Sequence, residues 1–261
     1  MQGWRMDAQL RRIKVCLNGG RSRAEHPAVP VTPAQLAAEA AAGVAAGAEA
    51  IHLHPRGGDG AESLLAGEVG AAVGAVRRAC PGIPVGVSTG LWITGGDAGA
   101  RRAAVAEWTG LGMGERPDFA SVNLSEPDVA DLLPVLEAAG VAAEAGVWSI
   151  ADARIAAAAG PPAGWLRLLV EVTGATAAGA LGMADEILRE LDELDVAAPR
   201  LLHGENETCW PLIRRSGQLG LATRIGLEDT ITGPGGEPVS GNAELIRQAL
   251  TIWDAAAVDA R

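Results

Sequence analysis

Two of the chain's four histidines stand two residues apart, in the run Ile51-His52-Leu53-His54. Side chains of an extended segment alternate between faces, so on a strand both imidazoles project to the same side. Such a pair can pack as two polar residues at a strand end, or begin a divalent metal site, with zinc the first choice. A catalytic zinc takes three protein ligands and keeps a position open for water or substrate, so a third ligand must arrive from elsewhere. Two segments offer one. Arg224-Ile225-Gly226-Leu227-Glu228-Asp229 carries adjacent carboxylates, and His203, Glu205 and Glu207 form a rival group. Taken alone, Glu228-Asp229 also reads as an acidic start to a loop or helix.

Other chemistries are poorly served. Lys14 is the single lysine among 21 basic residues and opens the first predicted strand, which places it away from a catalytic rim and disfavours imine chemistry. No Gly-x-Ser-x-Gly elbow is present, and Ser88 in Val87-Ser88-Thr89-Gly90 is better suited to hydrogen-bonding a substrate than to attacking one. A net charge of -11 opposes nucleic-acid binding, which draws on clustered Lys and Arg. Cys16, Cys80 and Cys209 are odd in number and widely spaced, as expected of buried thiols in a reducing cytoplasm.

The elements that must position these groups alternate. Eight β-rich runs recur at intervals of roughly 20 to 40 residues, each followed by an Ala-rich stretch. They are Ile13 to Leu17, Ala50 to Leu53, Pro84 to Ser88, Phe119 to Leu124, Glu144 to Ser149, Arg167 to Val172, Arg200 to His203 and Thr223 to Leu227. Strand-helix alternation predicts a parallel sheet, and eight units close a (β/α)8 TIM barrel, with residues 13–261 as a single domain after a lead-in of residues 1–12. Thr32-Pro33 predicts a helix start, Gly47 the end of that helix, and Asn242 the cap of a last helix through about Ala257. An open doubly wound sheet is the competing fold. The glycines at Leu17-Asn18-Gly19-Gly20-Arg21, and Gly110, Gly112 and Gly114, lack the spacing or position of its phosphate loop. In a barrel, His52 and His54 sit at the C-terminal end of strand two, where active sites form, and strand eight returns near them with only strand one between. Glu228 therefore ranks ahead of the His203 group. No apolar run approaches the roughly 20 residues of a membrane span, and Met1 to Arg12 lacks the apolar core of a secretion signal, so the expected location is the cytoplasm.

With those segments in view, the chain resembles the β-keto acid cleavage enzymes. The matching stretches are Leu17-Asn18-Gly19-Gly20 leading to Pro30-Val31-Thr32-Pro33, then Ala46 to Arg56 around the His pair, Val87-Ser88-Thr89-Gly90, and Arg224 to Asp229 followed by Asn242-Ala243-Glu244-Leu245. The resemblance implies a zinc-dependent barrel, tetrameric, that turns a β-keto acid and acetyl-CoA into acetoacetate and a new acyl-CoA. It puts the metal on His52, His54 and Glu228, the proton-accepting base at Asp229 with Arg224 holding it, and substrate contacts at Ser88 and Asn123. This chemistry is physically coherent. A β-keto acid can chelate a cation through its ketone and carboxylate oxygens, and a Lewis acid then stabilises the enolate. Arginine and metal would both lower the pKa of Asp229, so burial or another acid must offset them if it is to act as a base; Glu144 on strand five is the candidate, with a purely structural role for it the equal alternative.

The chain also departs from the family pattern. Gly146 stands where a second strand-five acid is common, Leu91 replaces a common Gly, and Arg21 falls near a carboxylate that holds the substrate amine in aminohexanoate-cleaving members. A guanidinium there would favour neutral or carboxylated β-keto acids, unless Arg21 pairs with Glu25. Two other functions use the same ligands: a metal-dependent aldolase or hydrolase without CoA, and a barrel that binds metal and ligand without turnover.

Overall fold

A computed structural model describes residues 10–159 and 165–260; residues 1–9 of the predicted lead-in lie outside it. Among the described residues, eight strands alternate with eight helices. The strands are β1 (Ile13–Cys16), β2 (Ala50–Leu53), β3 (Val85–Ser88), β4 (Phe119–Asn123), β5 (Ala142–Val147), β6 (Trp165–Val172), β7 (Arg200–Gly204) and β8 (Thr223–Ile225). The helices are α1 (Pro33–Ala45), α2 (Ala66–Ala79), α3 (Ala98–Ala106), α4 (Val129–Ala138), α5 (Ile150–Ala159), α6 (Ala177–Glu193), α7 (Cys209–Leu219) and α8 (Asn242–Asp259). All strand pairs are parallel, in the order β7-β6-β5-β4-β3-β2-β1-β8. A parallel bridge between Leu201 and Ala222, with Leu202 N–H donating to the Ala222 carbonyl at 3.0 Å, joins β7 to the start of β8 and closes the ring. The fold is a single-domain (β/α)8 barrel.

Strand positions agree with the sequence reading to within about two residues, and the largest shifts are informative. β5 starts two residues before Glu144. β8 stops at Ile225 instead of Leu227, which puts Glu228 and Asp229 on the loop beyond it. The Thr32 hydroxyl caps α1 in a reciprocal box with Gln35, and Gly47 follows that helix at φ +115°. Asn242 does not cap α8. Gly241 holds that position, and the Asn242 amide is committed elsewhere: it donates to the Leu17 carbonyl and to Glu39, and accepts from Leu227 N–H. The side chain thus ties the ends of β1 and β8 to the last helix.

The main apolar core lies between the outer face of the sheet and the helices, where Val15, Ile51, Val85 and Val87 meet residues such as Leu36, Val69 and Val73. The inner face is different. Barrel interiors are usually filled by branched aliphatics, yet here Lys14, Glu144 and Arg167 project inward, all buried, with Lys14 bonded to Glu144 and Arg167 3.4 Å from the other carboxylate oxygen. Both cations also approach the Phe119 ring, its centroid 5.5 Å from Lys14 Nζ and 5.6 Å from Arg167 Cζ, a favourable place for a π face. Gly86 makes room for it, since a Cβ there would stand 2.0 Å from the ring. A small separate cluster of Leu169, Leu201 and Ala222, with Leu10 packed against it, supplies apolar contacts in the same region.

Candidate active site

The alternation of β2 brings His52 and His54 inward at its C-terminal end, both at least 95% buried. Asn18 fixes that end, donating to the His54 carbonyl at 2.9 Å and accepting from His54 N–H at 2.9 Å. Glu228 arrives from the β8 loop. Its N–H reaches the Cys16 carbonyl, while the amides of Asp229 and Thr230 fold back onto the Gly226 carbonyl, turning both carboxylates toward the barrel mouth. Gly19, at φ +54°, packs against the Glu228 side chain so closely that a Cβ would lie 2.4 Å from Cγ.

His52 Nε2, His54 Nε2 and Glu228 Oε2 form a triangle with edges of 3.2, 3.6 and 3.7 Å. Tetrahedral zinc with bonds of about 2.0–2.2 Å requires edges of about 3.3–3.6 Å, so the triangle has the right size for one ion. Glu228 Oε2 is buried and has no hydrogen-bond partner among the described residues, whereas Oε1 accepts from Arg224 at 3.0 Å. A buried acceptor left over beside two imidazole nitrogens suits a cation position. The electrostatics agree. Burial drives His52 down to about 3, hence neutral, the state a ligand needs. Burial acts the same way on His54, but the carboxylates of Glu228 and Glu62 outweigh it and hold the imidazole up at about 9. Positive charge is therefore favoured at this spot. Cys16 forms a second possible group with Glu228 and Asp229, and burial raises its thiol well above the usual range.

Sequence reasoning missed two residues here. Glu62, on the β2–α2 loop, accepts from His54 Nδ1 and so fixes which nitrogen faces Glu228. Trp92, on a 3-10 turn (Leu91–Thr94) after β3, donates its indole N–H to Glu62 at 3.1 Å and stacks on His54 with an interplanar angle of 24°. An acidic residue eight positions after the His pair was the only available signal.

Arg224, inward on β8, donates to Asp229 Oδ1 from Nε at 3.1 Å and from Nη2 at 2.7 Å. Asp229 Oδ2 is buried without a partner among the described residues. Burial raises the Asp229 carboxyl, Arg224 opposes that, and the neighbouring Glu228 and Glu171 raise it again, leaving it at about 7. A carboxyl poised there suits proton transfer near neutrality. Glu144 is not the acid that acts on it. Burial would raise its pKa, but Lys14 and Arg167 hold it at about 2, committed to the barrel interior. Besides Asp229 and Glu228, a third acid lies near Arg224: Glu171 of β6, 4.0 Å away and four residues beyond Arg167 on the same strand.

Ser88 and Asn123 end β3 and β4 with buried side chains; Ser88 Oγ accepts from Gly90 N–H, and Asn123 donates to Glu126 at 2.9 Å. Arg21 is engaged by protein, donating to Asn206 Oδ1 at 2.7 Å, to the Glu228 carbonyl at 3.3 Å and to Glu25 at 3.4 Å. His203 stays outside the ligand triangle, 3.6 Å from Glu171 Oε2.

Solved structures share the fold at low identity. The binary complex of ObcA with oxaloacetate is 19% identical, with a TM-score of 0.66, covering 85% of this chain and 62% of that one. The ternary complex of ObcA with a C4-CoA adduct and oxalate is 19% identical with a TM-score of 0.68 and the same coverage, so this chain spans about three-fifths of the ObcA length. Type I 3-dehydroquinate dehydratase from Clostridium difficile is 12% identical, with a TM-score of 0.66, covering 95% of this chain and 93% of that one. The decisive match is at the level of family: residues 12–259, nearly the whole chain, fit the description beta-keto acid cleavage enzyme. The chain belongs to the beta-keto acid cleavage enzyme family.

Proposed function

We propose that this protein condenses a β-keto acid with acetyl-CoA to give acetoacetate and a new acyl-CoA, using a divalent metal, zinc first, held by His52, His54 and Glu228. The observation that carries this reading is the unpartnered Asp229 Oδ2 beside a ligand triangle of zinc dimensions. When bound, the cation supplies Lewis-acid polarisation of the ketone. Asp229 Oδ2 takes a proton from the carbon between ketone and carboxylate, while Arg224 holds the other oxygen. Ser88 and Asn123 orient the substrate from β3 and β4. The enolate carbon attacks the acetyl thioester and expels the CoA thiolate, which then attacks the original ketone carbon. Carbon-carbon cleavage releases the new acyl-CoA, and Asp229 returns its proton to the carbon that becomes C2 of acetoacetate. ObcA offers a parallel in kind, since its structures hold oxaloacetate, a β-keto acid, and a CoA adduct. A tetramer and a cytoplasmic location belong to the same reading.

The test is a panel of β-keto acids incubated with zinc-loaded protein, with and without acetyl-CoA. Acetoacetate and new acyl-CoA should appear only when both substrates are present. Substrate consumption without acetyl-CoA would replace this reading with a CoA-independent aldolase or hydrolase.

A further inference from the structure

Arg224 has three acidic neighbours. Besides Asp229 and Glu228, its Nη2 faces Glu171 Oε1 of β6, two strands away around the closed ring, at 4.0 Å. Glu171 is 7% exposed, and its other oxygen is pinned by the indole N–H of Trp148 at 2.9 Å. Trp148 comes two residues after Gly146, and the bare backbone there matters: a Cβ would stand 2.8 Å from Asn123 Oδ1 and 3.4 Å from Trp148 Nε1. The strand-five position that offers no acid thus leaves space for an indole that secures an acid on the next strand. Burying a carboxylate is costly unless it is partnered, and the proposed reaction gives Glu171 no part.

We propose that Glu171 is a positioning residue that braces the Arg224 guanidinium from β6, so that Arg224 holds Asp229 with Oδ2 turned to the substrate. This rests on the reading of Asp229 as the base. In the step concerned, the C2–H bond breaks, the proton moves to Asp229 Oδ2 and the electron pair stays on the substrate as its enolate. Glu171 touches neither atom. Removing its charge lets the guanidinium settle fully on Glu228 and Asp229, shifting the carboxylate that must meet the substrate carbon.

The experiment isolates proton removal. Zinc-loaded enzyme is incubated with acetoacetate in D2O without acetyl-CoA, and deuterium entry at C2 is followed by NMR above the uncatalysed rate. Glu171→Gln should slow exchange roughly 10- to 100-fold, the scale of a misplaced catalytic group, while KM stays within about twofold and zinc content and Tm are retained. Glu171→Asp should recover part of the loss. Asp229→Asn, run in parallel, should abolish exchange. Near-normal exchange in Glu171→Gln beside a dead Asp229→Asn overturns the role of Glu171 and leaves the base intact. Normal exchange in Asp229→Asn overturns the base itself and the brace with it. Loss of zinc together with exchange in Glu171→Gln also overturns the proposal, because a merely structural acid behaves so. Should Glu171→Gln fail to fold, Trp148→Phe unpins the carboxylate without removing it; several-fold slower exchange at unchanged KM is expected, and an unchanged rate overturns the brace.

Discussion

Glu62→Ala tests whether the ligand triangle is set from behind. In the native chain the Glu62 carboxylate accepts from His54 Nδ1, which commits Nε2 to the side facing Glu228, 3.6 Å away. The same carboxylate receives the Trp92 indole N–H, keeping that ring stacked on His54. The substitution removes the acceptor, frees the imidazole to turn and releases the tryptophan. Losing the partner of a metal-bound histidine typically costs 10- to 100-fold in metal affinity, or about 1.4–2.8 kcal/mol. Both contacts fail at once, so the upper part of that range is expected. Glu62→Gln retains an acceptor without its charge and should lose roughly tenfold. Zinc affinity is read by competition with a chromophoric chelator at fixed pH, with thermal unfolding of the metal-free proteins as a control. Affinity within twofold of wild type in a folded Glu62→Ala protein would refute the argument that Glu62 orients His54.

The ligands, a close-packed glycine and the ionic interior offer further tests. His52→Ala and His54→Ala should lose metal and activity yet stay folded, since both residues lie at the rim; full metal occupancy in both variants would sink the ligand assignment. Gly19→Ala forces a Cβ to within 2.4 Å of Glu228 Cγ at a left-handed backbone, so it should weaken zinc binding at least tenfold, checked by the same chelator titration. Glu144→Gln leaves Lys14 buried beside a neutral group and should cost roughly 3–5 kcal/mol in chemical denaturation. Because the Glu144 pKa is lowered in the folded protein, to about 2, its stabilisation is complete above the ordinary carboxyl range near 4.5 and is lost as pH falls toward 2. The Gln variant should therefore show a shallower loss of stability across that acid window, and an unaltered slope would contradict the pairing.

What the sequence disclosed follows the reach of each interaction. Strand positions were legible because apolar alternation is local, and His52 and His54 because a two-residue spacing on a strand has one geometric meaning. The Glu228-Asp229 pair was visible as a motif and as an acidic start to a loop or helix, but the early end of β8 was not: Gly226 and the Asn242 amide stop the strand at Ile225, and the latter acts across 15 residues. Asn242 looked like a helix cap because side-chain chemistry alone cannot tell a cap from a tie between strands. Glu171, Glu62 and Trp92 stayed hidden for the same reason. Each works through a partner on another segment, and only the closed ring brings Glu171 of β6 to Arg224 of β8. Glu144 was seen as important, but its partners, Lys14 and Arg167, lie 130 residues before it and on the adjacent strand.

That span of 130 residues between Lys14 and its counter-ion bears on how the chain is made. A nascent polypeptide emerging through β4 already carries the lysine and the phenylalanine ring that will sit beside it, but not the carboxylate that neutralises the ammonium. Until β5 is synthesised, sealing β1 in the lumen would strand a naked cation, so an amino-terminal half-barrel has an electrostatic reason to remain ajar. Assembly is thereby biased toward a late, concerted closure in which the second half of the chain licenses the first, with the slow kinetics expected of distant contacts. Severing the gene between β4 and β5 should yield fragments that acquire structure only on mixing.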